Sequence, residues 1–232
     1  MFSYPHQHPE IREAVTKLCA DFGGKYWQSC DVDRAYPGDF VQALTEAGYL
    51  SALIPEEFGG LSLPISAGAA ILEEIHRSGG NAAACHAQMY TMGTVLRHGS
   101  DEQKAEYLPG IADGSLRLQA FGVTEPTSGT DTTALLTTAR RDGDDYLVNG
   151  QKVWTSRAEY SDLLLLLART TPPDQCAKKT DGLSVFLVDM RQVKGKSLSI
   201  TPIRTMMNHS STQLFFDDMR IPAKSLVGEE GR

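Results

Sequence analysis

Apolar positions recur at helical spacing through the first half of the chain and alternate through the second. Ile11, Val15, Leu18, Cys19 and Phe22 share one face of a segment opened by Pro9 and closed by Gly23-Gly24. A second helix follows Pro37, with Phe40, Val41, Leu44 and Ala47 inward and Gly48 as its stop. After a loop from Pro55 to Pro64, the stretch Ile65 to Arg77 predicts a third helix, closed by Gly79-Gly80. Asn81 is placed to cap a fourth, rich in Ala and Met, that ends near His98-Gly99. Ser100 and Gln103 form a capping-box pair for a fifth.

From Leu116 the period shortens to two. Strands are predicted over 116–123, 135–140, 146–148, 151–155, 162–168, 183–188, 198–203 and 213–216. Asn149-Gly150, between two apolar runs, predicts a hairpin. The fold class is therefore α+β and multidomain. An all-α helical bundle over 1–114 precedes an antiparallel β-barrel or sandwich over 115–225, and 226–232 is polar and Gly-rich like the start of a linker.

Composition narrows the function classes. The 232 residues carry a net charge of −7 with no Lys/Arg block, which speaks against a nucleic-acid partner. Cys19, Cys30, Cys85 and Cys176 show no C-x-x-C spacing, and no leader pattern is visible, so they read as reduced thiols in a cytoplasmic setting. The longest apolar run, Leu163 to Ala168, is too short to cross a bilayer. His6 and His8 form a His-x-His that reads as a frayed tail rather than a metal site.

Candidate chemistry lies in two stretches of the β half. Phe121-Gly-Val-Thr-Glu-Pro-Thr-Ser-Gly-Thr-Asp131 leaves a predicted strand with two glycines, a proline and four hydroxyl side chains. Gly129 would admit a ligand close to the backbone, and Thr124 and Thr130 can each donate and accept. The second stretch is Asn149-Gly-Gln-Lys-Val-Trp-Thr-Ser156. An indole beside hydroxyls suits a flat heteroaromatic ring with polar edges. Trp154 alone would more often be a core residue; the neighbouring hydroxyls reverse that reading.

Together the two stretches resemble the flavin-binding signatures of the acyl-CoA dehydrogenase family. Further matches stand in the family's order at Ile54-Pro-Glu-Glu-Phe-Gly-Gly60, Glu73-Glu74, Gly99-Ser-Asp-Glu-Gln-Lys104, Leu108-Pro109 and Phe215-Phe-Asp-Asp-Met-Arg-Ile-Pro222. The resemblance implies FAD as cofactor and α,β-dehydrogenation of an acyl-CoA thioester. It implies cofactor contacts from Phe121, Val123, Thr124, Gly129, Thr130, Trp154, Thr155 and Ser156, with Thr130 also near the substrate's pantetheine arm. Ser156 would sit near the flavin N5 and O4, Val123 and Thr124 at its pyrimidine edge, and Thr155 would contribute backbone. Arg157 stands where many relatives carry Asn, a departure that bears on substrate class.

In that family a third, helical domain supplies the catalytic glutamate and much of the oligomer interface. The expectation is no catalytic residue within these 232 residues, and weak or absent FAD binding without turnover by the chain alone. An electron-transfer flavoprotein and a homo-oligomer are the partners implied for an intact enzyme. Acyl-CoA oxidase and flavin monooxygenase activities use the same scaffold, and a non-catalytic binding subunit completed by another chain is a further alternative. Glu125 and Asp131 read as capping or solvated carboxylates rather than bases. Glu73-Glu74 reads as a solvated or helix-pairing face, and His76 and His86 as packing residues. Lys178 and Lys179 either meet CoA phosphates or face solvent; Met89, Met92 and Met206-Met207 either line an acyl channel or fill core.

Overall fold

The computed structural model describes residues 7–232, in two compact units. The first comprises the chain up to Leu96 together with Lys104–Leu116; the second comprises Arg97–Gln103 and Arg117–Arg232. His6 lies outside the described residues. His8 Nε2 is 2.9 Å from Ser66 Oγ, so that ring is held rather than frayed.

The helical unit is built from α1 (Pro9–Ala20), α2 (Gly24–Val32), α3 (Gly38–Glu46), α4 (Ile65–Arg77), α5 (Ala83–His98) and α6 (Asp101–Asp113), the end of α5 from Arg97 and the start of α6 to Gln103 belonging to the other unit. Its core joins Val15 and Cys19 of α1, Phe40 and Leu44 of α3, Ile71 and Ile75 of α4, and Cys85 and Met89 of α5. Each pair sits one helical turn apart, the spacing that puts both side chains on one face. Asn81 Oδ1 accepts from the Ala83 N–H at 2.8 Å, at the start of α5. The capping box closes reciprocally: Gln103 N–H donates to Ser100 Oγ at 3.2 Å, and Ser100 N–H to Gln103 Oε1 at 3.0 Å.

The helix α2 has no counterpart in the sequence reading. Gly23-Gly24 reads as a stop, yet Gly24 opens the next helix, which has no fully buried residue. Its half-buried rings hold it in place. Tyr26 and Trp27 pack edge-on against Phe22 and Phe40, and the Phe40 N–H donates to Tyr26 Oη at 3.2 Å. Glu73 and Glu74 pair between helices: Arg12 of α1 donates to Glu73 at 2.7 Å and lies 3.6 Å from Glu74.

The second unit is an eight-stranded, mostly antiparallel sheet. Its strands are β1 (Leu118–Gly122), β2 (Thr138–Asp142), β3 (Asp145–Ser156), β4 (Leu163–Arg169), β5 (Leu183–Asp189), β6 (Leu198–Pro202), β7 (Ser211–Pro222) and β8 (Leu226–Val227). The order is β6-β7-β3-β2-β4-β5-β8, with β1 joined parallel to β4. Leu163 to Ala168, uniformly apolar in sequence, is the central strand β4, buried on both faces at most of its positions. Ala120, Tyr146, Val148, Leu164, Phe186, Leu214 and Met219 belong to the core. No described helix is long and apolar enough to cross a membrane.

One local expectation fails. Asn149-Gly150 is no hairpin; β3 runs straight through it, and the turn between β2 and β3 is Gly143-Asp144, with Gly143 at φ 61°. The dipeptide serves a bulge instead. Asn149 exchanges two side-chain hydrogen bonds with Asp218, the left-handed residue where β7 carries an extra position (φ 43°). Gly150 sits at φ 143°, and a Cβ there would lie 2.6 Å from Thr137 Oγ1. The residue types that favour a turn are used here for close strand approach.

Candidate functional site

The two stretches meet in the β unit. Beyond β1 the chain runs beside β3, and the Val153 N–H donates to the Thr124 carbonyl at 2.8 Å. Lys152 projects inward from β3, fully buried, and its ammonium donates to the Val123 carbonyl at 3.0 Å and to Glu125 Oε1 at 2.8 Å. Glu125 also accepts from the Leu136 N–H at 2.6 Å and the Thr137 N–H at 2.9 Å. One buried carboxylate therefore ties the loop after β1 to β3 and to the segment entering β2. Burial alone would raise the Glu125 carboxyl, but the bonds from Lys152, Thr137 and Leu136 outweigh it and hold it below the ordinary carboxylate range.

This clamp sets the loop. Glu125 and Ser128 exchange backbone hydrogen bonds across Pro126-Thr127, and Ser128 Oγ donates to the Asp131 carbonyl. Asp131 in turn accepts from the Thr133 N–H at 3.1 Å, capping a short turn of helix. Both acidic residues are thus structural acceptors. Gly129 and Thr130 lie exposed beyond the turn, and a Cβ at Gly129 would meet nothing within 4 Å. Open space faces the backbone there, as a ligand would need.

The second stretch ends on a bulge. Lys152 pairs with Leu214 of β7 and Thr155 with Thr212, so β3 holds an extra residue between them. Trp154 occupies it at φ 63°, a left-handed conformation that costs a bulky residue strain, and the residue is 58% exposed. The bulge also changes the phase of the strand. Lys152 and Thr155 both face inward, while Trp154 and Ser156 share the outer face. Thr155 is buried, and its carbonyl accepts from Thr212 Oγ1 at 2.6 Å. Its own hydroxyl is buried without a hydrogen-bond partner. Phe121, on β1, is 37% exposed.

The carbonyls of Val123 and Thr124 both accept from β3, from the Lys152 ammonium and the Val153 N–H. Ser156 Oγ accepts from Asn208 Nδ2 at 2.9 Å, across from the turn between β6 and β7. Asn208 escapes a sequence reading because it is 52 residues away. Lys152 is more legible, as a lysine at an inward position of an alternating strand. Met206 and Met207, on that same turn, are exposed and fill no core.

A cleft of about 610 Å³ lies elsewhere in this unit, lined by Cys176, Lys178, Asp181, Glu230 and Arg232 among others. It includes none of the residues of the two stretches. Among the described residues no cluster of His, Cys, Asp and Glu could hold a metal ion.

Comparisons with known proteins agree with this arrangement of elements. The family described as acyl-CoA dehydrogenase, N-terminal domain, matches residues 5–115, and that described as acyl-CoA dehydrogenase, middle domain, matches residues 120–219. Acyl-CoA dehydrogenase FadE26 of Mycobacterium tuberculosis is 35% identical over 96% of this chain and 52% of its own length. An acyl-CoA dehydrogenase structure from Geobacillus kaustophilus superposes with a TM-score of 0.87 at 27% identity, covering 97% of this chain and 59% of the other. A chain of the ChsE4-ChsE5 complex from M. tuberculosis does so with a TM-score of 0.83 at 33% identity, over 100% of this chain and 58% of the other. The chain thus spans between half and three-fifths of the length of these relatives. With six α-helices among the described residues followed by a mostly antiparallel eight-stranded sheet, and both domain families matched in order, this chain is a member of the acyl-CoA dehydrogenase family.

Proposed function

We propose that this chain is the flavin- and acyl-CoA-binding part of an FAD-dependent acyl-CoA dehydrogenase. The observation that carries the reading is the junction of Thr124 with Val153, which brings the loop after β1 beside the strand that carries the exposed Trp154. FAD, when bound, supplies the hydride acceptor for removal of hydrogen from Cα and Cβ of an acyl-CoA thioester. The chain's own residues orient that group. Trp154 offers an aromatic face. The Thr124 hydroxyl and the N–H groups of Val123 and Thr124 would donate to acceptor atoms of the ring's polar edge, and the Ser156 hydroxyl would donate beside them. Thr155 takes part only through its backbone. Gly129 and Thr130 leave room for the pyrophosphate and the pantetheine arm, and Phe121 borders the same side. Glu125 and Asp131 already accept from Lys152 and Thr133, so neither is the base that removes the Cα proton.

On this reading residues 1–114 and 115–225 are the two functional domains, and the intact enzyme passes its electrons to an electron-transfer flavoprotein and acts as a homo-oligomer. The four free cysteines suit a cytoplasmic setting. A second reading has one support. A chain of the ChsE4-ChsE5 complex is 33% identical to this one, which favours assembly with a different subunit.

Equilibrium titration with FAD, read by flavin absorption and by quenching of flavin fluorescence, tests the proposal. Saturable binding that weakens about tenfold in Trp154→Ala and in Ser156→Ala is expected, each loss matching one good contact. Binding unchanged in both variants would contradict it.

A further inference from the structure

We propose that Asn208 fixes the direction of the Ser156 hydroxyl, making it a hydrogen-bond donor toward the ligand; this rests on the flavin reading above. The orientation follows from counting protons. Ser211 Oγ lies 3.0 Å from the Asn208 carbonyl oxygen, which can only accept, so Ser211 spends its one proton there. Its oxygen must then accept from the Asn208 side chain, 3.0 Å away, which places Nδ2 rather than Oδ1 on that side. The second amide hydrogen is directed at Ser156 Oγ, 2.9 Å away. Ser156 accepts from Asn208 and has no acceptor in that direction, so its own proton points outward. That is the face it shares with Trp154.

The residue type at 208 answers two demands at once. The backbone stands at φ 56°, a conformation that among residues with a side chain Asn and Asp tolerate best. Glycine would meet that demand but supply no amide. Aspartate would meet it with the opposite polarity: its carboxylate accepts, and the Ser156 proton would turn back toward it. Asn208 is therefore a positioning residue that acts through Ser156, whose hydroxyl is left with a single role.

The test is FAD titration of the full 232-residue chain and its variants, at salt high enough to screen an added charge. Asn208→Asp is expected to weaken FAD about tenfold, as Ser156→Ala does. The double variant is expected to be no weaker than either single one, because both remove the same bond. Asn208→Gly, which keeps the turn and lets the hydroxyl rotate, is expected to lose only about threefold. The vibrational structure of the bound flavin's visible band should change in Asn208→Asp and in Ser156→Ala alike. Asn208→Asp binding within twofold of the parent, or losses that add in the double variant, would overturn the proposal while leaving the flavin site standing. Absence of saturable FAD binding by the parent chain would overturn both.

Discussion

Trp154 combines two properties that rarely coincide: a large, mostly exposed indole and a left-handed backbone. An exposed indole contributes little to folding, and the conformation opposes it, so the folded chain gains nothing evident by keeping tryptophan here. A ligand resting on the ring gives the residue a purpose. The strain is measurable without the ligand. In an ordinary extended strand Ala is more stable than Gly; at this position Trp154→Gly should be more stable than Trp154→Ala by about 1 kcal/mol. Chemical denaturation of the two variants checks the order. The sequence marks Trp154 through its neighbours Thr155 and Ser156, but it marks neither the bulge nor the inward turn of Thr155. Those depend on β7, whose register with β3 is set by residues more than fifty positions away.

Between β1, β2 and β3 the tie is the Glu125–Lys152 pair, with side chains 3% and 0% exposed. A pair this deep stabilises little relative to apolar residues, but removing one partner leaves a buried charge. Lys152→Met should cost about 3–5 kcal/mol, and adding Glu125→Gln should recover part of that. The loop from Val123 to Asp131 would loosen in the single variant, and FAD binding would weaken with it. The pH dependence has a definite sign. The folded carboxyl titrates below its unfolded value of about 4.3. Its contribution is complete above that value and is lost as pH falls through the lower, folded value. Thermal melts between neutral and acid pH should show Glu125→Gln with the shallower acid loss. At this scale the sequence reading is strong where apolar period and end signals agree, as in α4, followed by Gly79 at φ 81°, and in the Ser100–Gln103 box. It fails where one residue type serves two geometries: Gly24 opens α2 instead of stopping a helix, and Asn149-Gly150 lets strands approach instead of turning.

Across the whole chain, a change of period near residue 116 separates helices from sheet, and the order of short motifs places the chain in its family. What stays hidden is directional: which hydroxyl points outward, which carbonyl is already taken, and which carboxylate is committed. Such facts come from partners distant in sequence, as Asn208 is from Ser156 and Lys152 from Glu125. On the flavin reading, the two stretches form one cradle for an isoalloxazine ring. It is tested most directly by amide and indole NMR shifts of the chain as FAD is added. The Trp154 indole N–H and the amides of Val123, Thr124 and Ser156 should move together on one saturation curve. Shifts confined to the cleft around Lys178 and Asp181, with Trp154 and Thr124 unmoved, would contradict it.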